Sequence, residues 1–299
     1  MNEFRISLAS LAAAGLLLGA AAFAPAAQAQ TGGNEQAPVQ QQQAPDLATM
    51  SFKEKNELAK QGDVAAQISL AKDYLEGANG TRKSITRAAR WLTAAAEKGD
   101  ADAQFLLGGL LLEGSKDLKA NPANALTLFA SAADKGNIEA AYKAAHGYHY
   151  GTGVKPDLAK AVTYYTKAAD GGHIAAKNNL GLMYLQGMGT ERDLSVAFRL
   201  FEETANAGNA WGQNNLGGMY EMGWGTAKDA GKAIELYEKS AAQGNAHGQQ
   251  NHARLKAVLA SAKPADGGNS VETAQPAAAG ETTSVDSASG QQTGQSGTN

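Results

Sequence analysis

The chain contains no cysteine. That excludes disulfide staples and lipid attachment of the lipoprotein kind, so whatever folds here is held by packing alone. Charge of one sign is also missing: 26 basic side chains stand against 29 acidic ones. Glu3, Glu35, Asp46, Asp266, Glu272, Glu281, Asp286 and Arg5 lie outside residues 51–263, which leaves that segment with 25 basic and 22 acidic residues, a net +3. No basic stripe of the sort nucleic acid requires is present, and no amphipathic basic helix marks a membrane surface. Aromatic residues are absent from 264–299, a stretch of Ala, Gly, Ser, Thr and Gln. Such a tail buries too little apolar surface to offset ordering and is expected to be disordered. Residues 30–50, rich in Gln, Ala and Pro, read as a linker.

One alanine- and leucine-rich apolar run stands at the start, from Leu8 to Ala29, and ends in Ala27-Gln28-Ala29. The small-x-small ending predicts a secretory signal over residues 1–29, cleaved after Ala29. The alternative is a retained anchor, since the run is barely long enough to span a bilayer. The protein is therefore expected to be periplasmic or secreted, with no stable membrane insertion once the signal is removed.

What is abundant is glycine at fixed intervals. Gly62, Gly99, Gly136, Gly172, Gly208 and Gly244 are separated by 37, 37, 36, 36 and 36 residues. A period in this range marks a solenoid whose units bury their apolar faces only against one another. After each glycine comes a polar residue: Asp63, Asp100, Asn137, His173, Asn209 and Asn245. Small residues follow at Ala66, Ala103, Ala140, Ala176, Gly212 and Gly248. A leucine column (Leu70, Leu107, Ala144, Leu180, Leu216) precedes a ring column (Tyr74, Leu111, Tyr148, Tyr184, Tyr220), then Gly77, Gly114, Gly151, Gly187 and Gly223. Steps of four that end in glycine predict an amphipathic helix stopped by a left-handed cap.

The second half of each block predicts another helix. Ser84, Asn121, Asp157, Asp193 and Asp229 are good N-caps, and Pro122 sits at a first position where its missing N–H costs nothing. Alanine columns and a bulky pair (Trp91-Leu92, Leu128-Phe129, Tyr164-Tyr165, Leu200-Phe201, Leu236-Tyr237) follow. The expected fold is all-α, an α-solenoid of five helix-pair repeats at about 63–99, 100–136, 137–172, 173–208 and 209–244. Partial caps close it: a helix from the capping box Ser51-Phe52-Lys53-Glu54 to Gly62, and a closing helix over 245–262 whose leucine column holds His252.

The strings Asn178-Asn179-Leu180-Gly181-Leu182-Met183-Tyr184, Gly187-Met188-Gly189 and Asp193 to Ala197 resemble a Sel-one-like repeat, a relative of the tetratricopeptide repeat. So do Asn214 to Tyr220 with Gly223-Trp224-Gly225, and Gly151-Thr152-Gly153-Val154 with Asp157 and Lys160-Ala161. The resemblance covers about residues 63–260. It is weaker in the first two repeats, where Gly77-Ala78-Asn79-Gly80 and Gly114-Ser115-Lys116 replace the Gly-x-Gly turn. The resemblance implies an adaptor or regulator that binds a protein or peptide in a concave groove, in envelope signalling, exopolysaccharide control or assembly of export machinery. Some secreted members of that family carry a disulfide in every repeat, which this chain cannot.

Catalysis finds little support. Ser69-Leu70-Ala71-Lys72 matches the Ser-x-x-Lys pattern of penicillin-recognising enzymes, but neither companion motif occurs. A cell-wall enzyme or small-ligand binder and a passive spacer remain as alternatives to the adaptor. His146 and His149 are three apart on one predicted helix, yet no third zinc ligand is placed, so neither metal nor cofactor is expected. By analogy with tetratricopeptide folds, the first helix of each pair lines the groove. That selects Glu139, Tyr142, His146, His149 and Tyr150 in the third repeat, Asn178 and Leu185 in the fourth, and Trp211, Asn214 and Glu221 in the fifth. Packing does not ask for Tyr142, His146 or His149. The row Asn178, Asn179, Asn214, Asn215 and Asn251 has two readings, a ladder for an extended backbone or a tie between turns.

Overall fold

The computed structural model describes residues 46–261 apart from Ala48, and every element within them is helical. The signal expected over 1–29 and the tail over 264–299 lie outside the described residues. α1 (Phe52–Gln61) and α12 (Ala246–Ser261) flank five pairs: α2 (Val64–Glu76) with α3 (Ile85–Glu97), α4 (Ala101–Glu113) with α5 (Pro122–Asp134), α6 (Ile138–Tyr150) with α7 (Leu158–Asp170), α8 (Ile174–Gln186) with α9 (Leu194–Asn206), and α10 (Ala210–Met222) with α11 (Ala230–Ala242). Each helix packs chiefly on the one before and the one after.

The polar columns place the helix starts. Asp63, Asp100, Asn137, His173 and Asn209 each accept the N–H three residues on, and so do Ser84, Asn121, Asp157 and Asp229 in the second helices. Asn245 does the same for Gly248 at the last helix. Ser51 and Glu54 form the reciprocal capping box. Gly77, Gly151, Gly187 and Gly223 end their helices in the left-handed conformation. Gly114 does not: its φ of 64° is joined to an extended ψ of −173°. The turn of the second repeat folds back on itself there, with Ser115 and Leu118 paired.

Within a pair, the small column receives the ring of the partner helix. A Cβ at Gly108 would stand 2.7 Å from the Phe129 ring, at Gly181 2.6 Å from Phe201, and at Gly217 2.9 Å from Tyr237. These rings and Tyr165 are buried and dominate the core. Between pairs, alanine meets alanine along most of the stack. At the last two junctions the first partner is Thr204 or Ser240 and the second shrinks to Gly212 or Gly248. Volume is conserved across the seam, as close packing demands.

The stretch 30–50 expected as linker is already structured where it is described. Thr49 bonds back to Asp46, and Leu47 packs on the small cluster of Ala59, Ala66 and Leu70. Leu47 is an apolar side chain in a polar stretch, which is enough to hold that turn against the first layers. At the other end, α12 stands where the first helix of a sixth pair would. Its side chains at Ala253, Arg254 and Lys256 are exposed and His252 is half-buried.

Candidate functional site

Five of the ten residues selected for the groove come together on α6. Each holds its place for a local reason: Asn137 starts the helix and Gly151 stops it, leaving thirteen residues whose third- and fourth-spaced side chains share a face. Tyr142 and His146 have ring centroids 6.4 Å apart, His146 and Tyr150 4.5 Å. His149 stacks on Tyr150 at 4.4 Å with only 9° between the planes. Tyr150 is 44% exposed, which makes it the most exposed aromatic side chain among the described residues.

Two residues not selected from sequence complete the cluster. Tyr165 of α7 lies under it, 6.1 Å from Tyr142 and edge-on to His149 at 6.0 Å. His173, the N-cap of α8, stacks on Tyr142 at 4.2 Å. Its Nδ1 accepts the Ala176 N–H, so the ring proton sits on Nε2 and is directed at Glu139, 3.3 Å away. This bond fixes the imidazole between two helices and holds the Glu139 carboxyl below its usual range, against the opposing effect of burial. One signal pointed to His173: it is the sole histidine in a column otherwise of Asp and Asn.

His149 differs from its neighbours. Its Nδ1 is buried with no hydrogen-bond partner. Burial pushes the imidazole down from its ordinary value, and the nearby His146 adds to the effect. Both effects favour the neutral imidazole. Among the described residues no group of three or more His, Asp or Glu side chains is arranged to hold a metal ion.

The remaining selected residues are engaged within the stack. Asn215 Nδ2 donates to Asn178 Oδ1 at 2.9 Å, and Asn251 Nδ2 to Asn214 Oδ1 at 2.9 Å, each bond joining successive layers. Asn178 and Asn214 are buried. These bonds join helices of successive layers, not turns, and they engage amides that a ladder for an extended backbone would need. Leu185 is part of the core formed with Phe201 and Leu216. Glu221 accepts both guanidinium nitrogens of Arg254 at 2.7 Å and the Tyr237 hydroxyl at 2.8 Å. Trp211 stands beside His247 of α12, ring centroids 5.5 Å apart. Ser69 and Lys72 are half-buried on α2, and no hydrogen bond joins them.

Five stacked helix pairs bearing a ring-lined face define a helical-repeat scaffold of the kind that carries surfaces for other macromolecules. The chain belongs to the Sel1 repeat family, whose model matches residues 64–100, 101–137, 138–173, 174–209 and 212–245. Members of this family typically serve protein–protein interaction and are generally non-catalytic. Two solved structures are similar. One is a protective antigen present in uropathogenic Escherichia coli strains that displays an SLR fold, with 32% identity and a TM-score of 0.62 over 70% of this chain. The chain spans only 45% of that antigen's length. The other is a Sel1 repeat protein from Oxalobacter formigenes, with 29% identity and a TM-score of 0.60, covering 67% of this chain and 85% of that one. Among curated proteins there is no match. No helix among the described residues is long and apolar enough to cross a membrane.

Proposed function

We propose that the protein is an exported adaptor, periplasmic or secreted after cleavage near Ala29, that captures a protein or peptide on the first-helix face of its third repeat. The observation that carries this reading is the cluster of Tyr142, His146, His149 and Tyr150 with His173 and Tyr165. Rings held by other rings lose little freedom on binding, and amphipathic side chains of this type supply most of the energy at protein interfaces. Tyr150 is the anchor, since it is exposed and held on one face by His149. The role this serves is envelope signalling or exopolysaccharide control.

Affinity capture from envelope extract, read by mass spectrometry, tests the reading. The mature chain is compared with a His146→Ala/Tyr150→Ala variant, both residues being outside the buried core. A protein enriched by the wild type and lost with the variant is the expected result. Equal recovery would remove the site from this face.

A further inference from the structure

An open cleft lies between α3 and α5, over α4, where the second repeat departs from the ring column. In repeats one, three and five a tyrosine of the first helix is covered by a cation from the second. Arg87 stands over Tyr74 at 5.6 Å, Lys160 over Tyr148 at 5.1 Å and Lys232 over Tyr220 at 5.0 Å. Tyr148 also stacks on Tyr164 at 5.6 Å, and Tyr220 meets Phe198 of the preceding pair at 5.5 Å.

These places are all smaller around the second repeat, although leucine also stands at the Tyr164 place in the fourth and fifth repeats, as Leu200 and Leu236. Leu111 replaces the tyrosine, Asn124 the cation and Leu128 the ring at the Tyr164 place. Ala89 occupies the place that Phe198 holds beside Tyr220. The result is an open cleft lined by these four residues, with Leu107 and Leu118 on its walls and Thr86, Arg90, Thr93 and Glu97 about its rim. The cleft is wide enough to admit a ring, and it is bounded largely by aliphatic groups with one amide at the place of the cation.

We infer that this cleft binds an aromatic side chain, that of a tyrosine or phenylalanine presented by a partner polypeptide. The incoming ring completes the column that repeats one, three and five complete from within. The Asn124 amide replaces the cation above it and offers a hydrogen bond to a phenolic hydroxyl. The rim carries one positive and one negative side chain, so ring shape and not charge selects the occupant. This site is independent of the α6 cluster, and either can fail without the other.

The test uses the full chain with methyl-detected NMR and two probes, p-cresol and the capped tripeptide acetyl-Gly-Tyr-Gly-amide. Both should shift the methyls of Leu107, Leu111, Leu118 and Leu128 saturably. Leu111→Tyr supplies the missing ring from within, and Thr93→Trp closes the rim from an exposed position whose one side-chain bond, to the Ala89 carbonyl, stays within its own helix. Either should weaken both probes by roughly tenfold or more, the scale set by excluding one buried ring. Thr93→Trp keeps the test decisive if Leu111→Tyr does not fold. Shifts spread over other methyls, or unchanged binding in a folded variant, would overturn the site. Binding of p-cresol without the tripeptide would overturn a polypeptide as its source.

Discussion

The two ends of the solenoid are closed by the same kind of bond in opposite surroundings. At the amino end Lys55 of α1 meets Asp73 of α2 at 2.9 Å, with side chains only 2% and 8% exposed, and Asn79 donates to the second carboxylate oxygen at 2.7 Å. At the carboxyl end Arg254 of α12 meets Glu221 of α10 through two hydrogen bonds, yet the arginine side chain is 48% exposed. The seams differ in the same direction. Alanine faces alanine towards the amino end, and hydroxyl residues face glycine at the last two junctions. The difference shows that geometry alone does not decide what such a bond contributes; removal from water does.

Breaking the buried pair should have the largest effect. Lys55→Ala leaves a carboxylate buried with one amide for company, and is expected to cost about 3–5 kcal/mol in urea unfolding. Replacing both members with Met and Leu should recover most of that loss, because a filled apolar site avoids the desolvation both charges suffer.

The seam at the carboxyl end supplies the next effect. A Cβ on Gly212 would stand 2.7 Å from the Thr204 Cβ and 2.9 Å from the Ala205 nitrogen. Alanine in a helix gains about 1 kcal/mol over glycine from propensity, and an overpacked core loses about 1–3 kcal/mol. Gly212→Ala should therefore be destabilising on balance, and Thr204→Ala added to it should restore part of the loss. A stabilised Gly212→Ala variant would show that the seam has room the geometry denies.

Between the two ends, His149 sets a dependence on pH. Its folded value is lowered by burial from 6.5. The unfolded chain thus takes up the proton first, so stability is fully present above 6.5 and is lost as pH falls through that value towards the folded one. The melting temperature should decline over that window, and the His149→Leu variant should show a shallower decline in the same titration.

The exposed pair gives the smallest effect. Burial raises the Glu221 carboxyl, but the bonds from Arg254 and Tyr237 outweigh it and hold the group below its ordinary value. With solvent on the arginine, Arg254→Ala should cost about 1 kcal/mol or less, and less still in high salt. A salt-independent loss as large as that of Lys55→Ala would erase the contrast between the ends.

Much of the fold was legible in the sequence because a helical repeat writes its rules in columns. N-caps and stop glycines act over three or four residues and small–ring pairs over 20 or 21, and recurrence exposes them. The bonds that join layers were harder to see. Asn215 reaches Asn178 and Asn251 reaches Asn214 across 37 positions, so the partners appear only once the helices are stacked. Lys55 lies in a polar helix, and its burial depends on Asp73 and the turn at Asn79, neither of which is near it in sequence. At the candidate site, the residues on α6 were legible as departures from the packing columns. Tyr165 was hidden by its role as a core ring, and His173 by its role as a cap.

The polar side chains on the last helix have a consequence for assembly. His252 stands at a leucine place and Lys256 at a ring place, on the face where a further second helix would dock. A stack of like units is an open, head-to-tail arrangement, and nothing in its symmetry closes it. Were those two positions leucine and tyrosine, the end of one molecule would be a template for the start of the next. With histidine and lysine there, that face offers a further unit a polar surface in place of the apolar columns by which the repeats stack.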